Sequence, residues 1–148
     1  MCARLGPRVL VETMLGPGVE MLLGAVDDID HGAVVTIAVG GIHAELLDDA
    51  VALPAPFTAE EAGRALEGLR LRALLDGARG APPSDVDALC QAAARFSALA
   101  AALAGSFAGI DVNPLLVHAH GCTAADALLI GRDASCVAVA TGVAATPD

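Results

Sequence analysis

The sequence predicts an α/β (α+β) domain in which a mixed, largely antiparallel sheet is covered by two main helices. Three observations carry that class. Short apolar and β-branched runs up to residue 53 are cut by Gly-Pro-Gly and Asp-rich turns, the mark of consecutive antiparallel strands. Two stretches between residues 58 and 103 switch to helical spacing, and each opens on a capping side chain. A last pair of apolar runs, Ile110–Val117 and Cys122–Ile130, is joined by a break short enough for a hairpin. A chain of 148 residues is one domain long and buries roughly 68–70% of its extended-chain surface. Its 55% hydrophobic content and mean hydropathy of +0.64 supply the core.

Taken in order, Val9–Leu15 reads as a short strand that breaks at Gly16-Pro17-Gly18. Val19–Val26 is a second strand, Asp27–Gly32 a polar turn, and Ala33–Val39 a third strand. The short loops make these three antiparallel neighbours. Gly40-Gly41 follows, where missing side chains permit either close approach of backbone to a ligand or a bulge. The chain then runs from Ile42 to Leu53 before Pro54 and Pro56. Thr58-Ala59-Glu60-Glu61 is a capping box that starts a helix to about Leu69 or Leu71. Residues 73–83 read as a loop. Ser84 is the expected cap of a longer helix, with Asp85 and Asp87 in its first turn, where the helix dipole favours acids. Val86, Leu89, Cys90, Ala93, Phe96, Ser97, Ala100 and Leu103 keep one face of that helix apolar, for packing on the sheet. After Gly131 the tail, 132–148, shows no clear pattern beyond an edge strand around Cys136–Ala140. No linker divides the chain into two domains.

The chemistry concentrates in the second hairpin. Asp111 and Asn113 stand two residues apart in a strand and so share a face. If Ala119-His120 is a two-residue loop, Asn113 falls opposite Asp126, with Cβ atoms roughly 4.5–5.5 Å apart. Two acids and an amide offer hard oxygen ligands of the kind Mg²⁺ takes. The same residues could instead form an Asx-turn or hairpin-end hydrogen-bond set. His118 and His120 could ligate a transition metal, but they sit at the turn with no third ligand in register.

Charge and composition exclude several classes. A net charge of −10 argues against nucleic acid as a partner. Every one of the 8 basic residues is Arg, so any lysine in phosphate chemistry must come from elsewhere. Cys2, Cys90, Cys122 and Cys136 have no zinc spacing and read as free, mostly buried thiols. No apolar stretch reaches the roughly 18 residues of a membrane helix, and the first residues lack a signal-peptide core. The expected compartment is the cytoplasm, without membrane attachment.

The ordered set of segments resembles the C-terminal lobe of the ATP-grasp domain in NDP-forming acyl-CoA synthetases, the acetate–CoA ligase (ADP-forming) and succinyl-CoA synthetase β-subunit group. Val9–Met14 looks like that family's hinge strand, and Gly18-Val19-Glu20 like its G-V-E strand. Gly40-Gly41-Ile42 on to Glu45 resembles its G-G-I-x-x-E segment, and Leu74–Pro83 its inter-helix linker. Asp111-Val112-Asn113-Pro114-Leu115 resembles its acid-x-N-P-L signature, with Asp126 where the family has a second metal-ligating Asp. The similarity spans residues 8–131, which it marks as the lobe, leaving 132–148 as a tail.

The resemblance implies ATP (or another NTP) and Mg²⁺ as cofactors, in phosphoryl transfer that leads to acyl-CoA. Asn113 and Asp126 would ligate Mg²⁺, with Asp111 supporting or sharing the site. Glu12, Thr13 and Met14 would line the base, Glu20 and Glu45 would face the nucleotide, and Gly40 and Gly41 would let backbone approach it. None of the four histidines inherits the family's phosphorylated histidine, and no catalytic residue is assigned. Asp48 and Leu53 stand where relatives usually carry Lys and Arg, and His43 where they tend to have Phe. The family's N-terminal lobe and CoA-binding domains are therefore expected on a partner chain, or the chain forms a homo-oligomer. The alternative is a non-catalytic ATP-grasp remnant acting as a structural or interaction module.

Overall fold

The computed structural model describes residues 13–41, 49–70, 72–77, 80, 82–132 and 137–144. They form six strands, β1 (Val19–Asp28), β2 (Gly32–Val39), β3 (Ala50–Pro54), β4 (Phe107–Val117), β5 (Cys122–Gly131) and β6 (Val137–Ala144). Between β3 and β4 run the helices α1 (Ala59–Glu67), α2 (Arg72–Leu75) and α3 (Val86–Ala102). The strands lie in one sheet in the order β3-β2-β1-β4-β5-β6. Every neighbouring pair is antiparallel, so the sheet is not mixed.

Alternation of apolar residues sets the faces, since successive strand side chains point to opposite sides. Met21, Leu23 and Ala25 of β1 are buried, as are Ala33, Val35, Ile37 and Val39 of β2. Against them α3 lays Leu89, Cys90, Ala93, Phe96, Ser97 and Ala100, the stripe its spacing predicts. Ser97 is the one polar member, and it is fully buried. Its hydroxyl accepts from the Phe57 N–H at 3.1 Å and donates to the Ala94 carbonyl at 2.8 Å. That bond pins the β3–α1 connection to the helix. The other face of the sheet carries Leu22, Val26, Leu128 and Ile130 around a shallow trough of about 370 Å³, with no described helix packed on it.

Several boundaries move from their expected places. The Val9–Leu15 strand is not seen as such. Residues 9–12 lie outside the described residues, and 13–18 have no regular structure. The place beside β1 belongs to β4, which pairs with it from Val19↔Val117 to Val26↔Gly109 and offers a longer apolar partner. The first helix has the full Thr58/Glu61 capping box but stops at Glu67, where Gly68 caps it. The loop after it contains the single turn α2.

The long helix is capped by Asp85, not Ser84. The Asp85 carboxylate accepts from the Ala88 N–H at 2.9 Å and from the Gly121 N–H at 2.8 Å, whereas Ser84 spends its own N–H on the Leu75 carbonyl. An acid that collects two donors displaces a hydroxyl that collects none. At the far end of the sheet the Asp27 carboxylate accepts from Gly105 N–H at 2.6 Å and from Arg132 at 2.5 Å. This ties the exit of α3 to the ends of β1 and β5. No helix among the described residues is long and apolar enough to cross a membrane.

Candidate functional site

The site is built on the β4–β5 hairpin. Pairs run at constant register from Asp111↔Leu128 and Val112↔Ala127 to Leu115↔Ala124 and Val117↔Cys122. Asn113 and Asp126 therefore face each other in the gap of the ladder, where Pro114 has no N–H to give. Ala119-His120 is the two-residue loop. His118 N–H closes it on the Gly121 carbonyl at 3.0 Å, and Gly121 takes the positive φ of 79° that a side chain would resist. Against β1, Asn113 and Pro114 together oppose the single residue Leu22, a β-bulge.

On this frame Asp111 is half-buried, while Asn113 and Asp126 are exposed. Burial pushes the Asp111 carboxyl above its usual range, and the Asp126 charge pushes it the same way. Asp126 also accepts from the Ala127 N–H at 2.9 Å through Oδ1. Among the described residues no three His, Cys, Asp or Glu side chains are grouped to hold a metal ion. The donor set in question is two carboxylates and one amide oxygen.

Gly40 joins this hairpin from the end of β2. Its N–H donates to the Glu20 carbonyl at 2.8 Å. A Cβ there would sit 2.9 Å from the Met21 backbone and 3.3 Å from Asn113 Oδ1, so only glycine lets β2 close against β1 and Asn113. Gly41 has φ of 63°, and a Cβ on it would run into the Glu20 carboxylate. Glu20, Gly40, Gly41 and Asn113 are thus brought together, with Asp111 and Asp126 on the same hairpin.

Thr13 and Met14 lie on the exposed segment that leads into β1, and Met14 is 93% exposed. Glu12 and Glu45 lie outside the described residues. The hairpin tip makes contacts that sequence reasoning did not anticipate. His118 gives its carbonyl to the Asp85 N–H at 2.7 Å, and its ring Nδ1 lies 3.0 Å from the Pro17 carbonyl. The transition-metal reading of His118 loses that nitrogen to a backbone partner. The one available signal was Asp85 itself, an acid directly after Ser84 that the sequence places in the first turn of the helix.

The chain has relatives among known proteins. The family model described as "ATP-grasp domain" matches residues 5–130. Subunit beta of acetate–CoA ligase (ADP-forming) II from Pyrococcus furiosus is 31% identical over 113 residues, covering 76% of this chain and 48% of the relative. Subunit beta of acetate–CoA ligase (ADP-forming) I from the same organism is 32% identical over 122 residues, 82% of this chain and 52% of the relative. Among solved structures, the dinucleotide-forming acetyl-coenzyme A synthetase 1 of Ca. Korarchaeum cryptofilum, in complex with coenzyme A and Mg-AMPPCP, superposes with a TM-score of 0.74 at 30% identity. That match covers 80% of this chain and 55% of that chain. The chain spans about half the length of these relatives.

Proposed function

Because the chain belongs to the ATP-grasp domain family, among the NDP-forming acyl-CoA synthetases, we propose that its β4–β5 hairpin is the metal- and phosphate-facing wall of a nucleotide cleft. One observation carries the reading. A single hairpin brings Asp111, Asn113 and Asp126 together beside the side-chain-free Gly40. Residues 8–131 serve as the C-terminal lobe, and an N-lobe with CoA-binding domains completes the site from a partner chain or a separate domain.

The donor set fits the ion. Carboxylate and amide oxygens are hard ligands suited to Mg²⁺, and the repulsion that Asp126 exerts on Asp111 is excess negative charge that a divalent cation offsets. Bound there, Mg²⁺ supplies charge neutralisation between the phosphates of ATP or another NTP during phosphoryl transfer. Asn113 and Asp126 hold the ion and Asp111 shares or supports it. Gly40 and Gly41 keep the approach to the phosphates clear, Glu20 and Glu45 face the nucleotide, and Glu12, Thr13 and Met14 line its base. These steps serve an acid–CoA ligase in which the chain alone is inactive.

A second reading, a non-catalytic structural module, has its own observation. None of the six strands carries a Lys or Arg, so the wall has no cation of its own to hold triphosphate. Calorimetry separates the two. The purified chain is expected neither to hydrolyse ATP nor to form acyl-CoA. With an N-lobe protein from a relative added, it is expected to take up Mg-ATP, and Asp126→Asn to abolish that uptake. Absence of uptake by the combined proteins would leave only the module reading.

A further inference from the structure

We propose that His118 is a positioning residue, its ring holding the Thr13–Gly18 segment onto the tip of the β4–β5 hairpin. The inference rests on the nucleotide-cleft reading, in which Thr13 and Met14 line the base and Asp111, Asn113 and Asp126 hold the metal. Those two groups stand on pieces of chain about a hundred residues apart. A cleft needs them at a fixed separation, since a catalytic or binding constellation tolerates only about 0.5 Å of slack.

Three observations meet at this residue. The Nδ1 of His118 lies 3.0 Å from the Pro17 carbonyl, the single hydrogen bond between a described side chain and the 13–18 segment. Gly18 makes room for the ring, because a Cβ there would stand 3.1 Å from Nδ1 and 3.0 Å from the Val117 carbonyl oxygen. The backbone of His118 is itself fixed on both sides. Its N–H donates to the Gly121 carbonyl at 3.0 Å, and its carbonyl accepts from the Asp85 N–H at 2.7 Å. The ring therefore projects from a rigid tip whose other bonds reach the N-terminus of α3. The residue that follows in this chain of contacts is Val19, already paired with Val117 at the start of β1. The tether thus extends the order of the sheet back into a segment that has no strand pairing of its own.

The chemistry gives the tether a signature. A backbone carbonyl only accepts, so Nδ1 must donate, and in the neutral ring the proton sits on Nδ1 while Nε2 is left bare. A histidine in solvent without such a partner favours the opposite tautomer. A hydrogen bond of this kind is worth a modest factor in an equilibrium, so its loss should weaken whatever depends on the segment by about three- to tenfold.

The test uses the full chain, labelled for nuclear magnetic resonance. In mildly alkaline buffer the His118 ring should show the Nδ1–H tautomer. In His118→Ala the Met14, Leu15 and Gly16 amides should gain fast motion while those of Leu89 and Ile37 stay rigid. His118→Asn, whose side-chain amide donates from nearly the same place, should restore the order. Titration with Mg-ATP in the presence of the N-lobe protein, followed by chemical shifts, should show about three- to tenfold weaker binding in His118→Ala. Mn²⁺ alone should bind unchanged, because the metal ligands are untouched. An Nε2–H tautomer, or amide motion unaltered in the Ala variant, would overturn the tether whatever the nucleotide result. Looser amides with unchanged Mg-ATP affinity would overturn the positioning role. If the wild-type chain moves no resonances with Mg-ATP even when an N-lobe is present, the cleft reading fails and the positioning role with it, while the tautomer still reports the tether separately.

Discussion

Asp85 is where a single carboxylate holds the helix to the hairpin, and removing it gives the sharpest prediction. In the folded chain Oδ1 accepts from the Ala88 N–H, capping α3, and Oδ2 accepts from the Gly121 N–H at the hairpin turn. Asp85→Ala removes a helix cap, at a cost of about 1 kcal/mol, and a second, only part-buried bond worth about 1 kcal/mol more. The total of about 2 kcal/mol corresponds to a fall in Tm of about 4–8 °C for a chain of this size. The pH dependence follows from the shifted acid. The Gly121 N–H first, then the Ala88 N–H, lower the Asp85 pKa from its usual 3.8, with burial opposing them and His120 assisting. A depressed folded pKa means the stabilisation is fully present above the unfolded value and drains away as pH falls through the folded one. The gap between wild type and Asp85→Ala, read by urea titration, should therefore be constant from neutral pH down to about 5 and close below about 4. Asp85→Asn should recover the cap but not the Gly121 bond, and should show no acid limb from this residue. A gap that persists undiminished at the acid end would refute the assignment of both bonds to the ionised carboxylate.

Three further substitutions probe the packing and the site. Ser97→Ala strands the Phe57 N–H in the core and should cost about 1–3 kcal/mol by chemical denaturation. Leu89→Ala empties a fully buried position between α3 and the sheet and should cost about 2–5 kcal/mol, more than any cap. Gly40→Ala pushes a methyl against the Met21 backbone, which cannot yield as a side chain would. It should cost about 1–3 kcal/mol and also weaken Mn²⁺ uptake by displacing Asn113, readable by paramagnetic relaxation.

Much of the fold was legible because local chemistry decides it. Val35, Ile37 and Val39 alternate, and they are buried in that order. Thr58 and Glu61 sit at capping-box spacing, and both bonds form, at 2.8 Å from Thr58 N–H to Glu61 and 3.2 Å from Glu61 N–H to Thr58. What the sequence hid was non-local. Ser84 and Asp85 are both acceptable caps, and the choice turns on Gly121, 36 residues away. The partner of β1 is decided by which apolar run fits its whole length, and loop length favoured the wrong neighbour. The His118 contact joins residues 101 apart, and no pattern in either segment announces it.

The candidate site owes its form to a break in alternation that is shared by two strands. On β4 the core-facing residues are Ile110 and Val112, then Leu115 and Val117, so the parity changes across Asn113-Pro114. On β5, Cys122 and Ala124 face the core on one parity and Leu129 on the other. Had only one strand changed, the register between them would have slipped, but the pairs on both sides of the break keep step. β4 thus carries one extra residue against β1, and β5 keeps step with β4 on both sides of it. Strict alternation would have sent Leu115 and Val117 to the face that no described helix covers, costing about 1.5–3 kcal/mol for each side chain left unburied. The paired break spares that cost. It also leaves a gap in the ladder occupied by Asn113 and Asp126, one step from Asp111. A bulge that the core requires therefore also sets Asn113 and Asp126 at one level of the two strands, and the acid and amide spacing in the sequence does not show the parity change that does so.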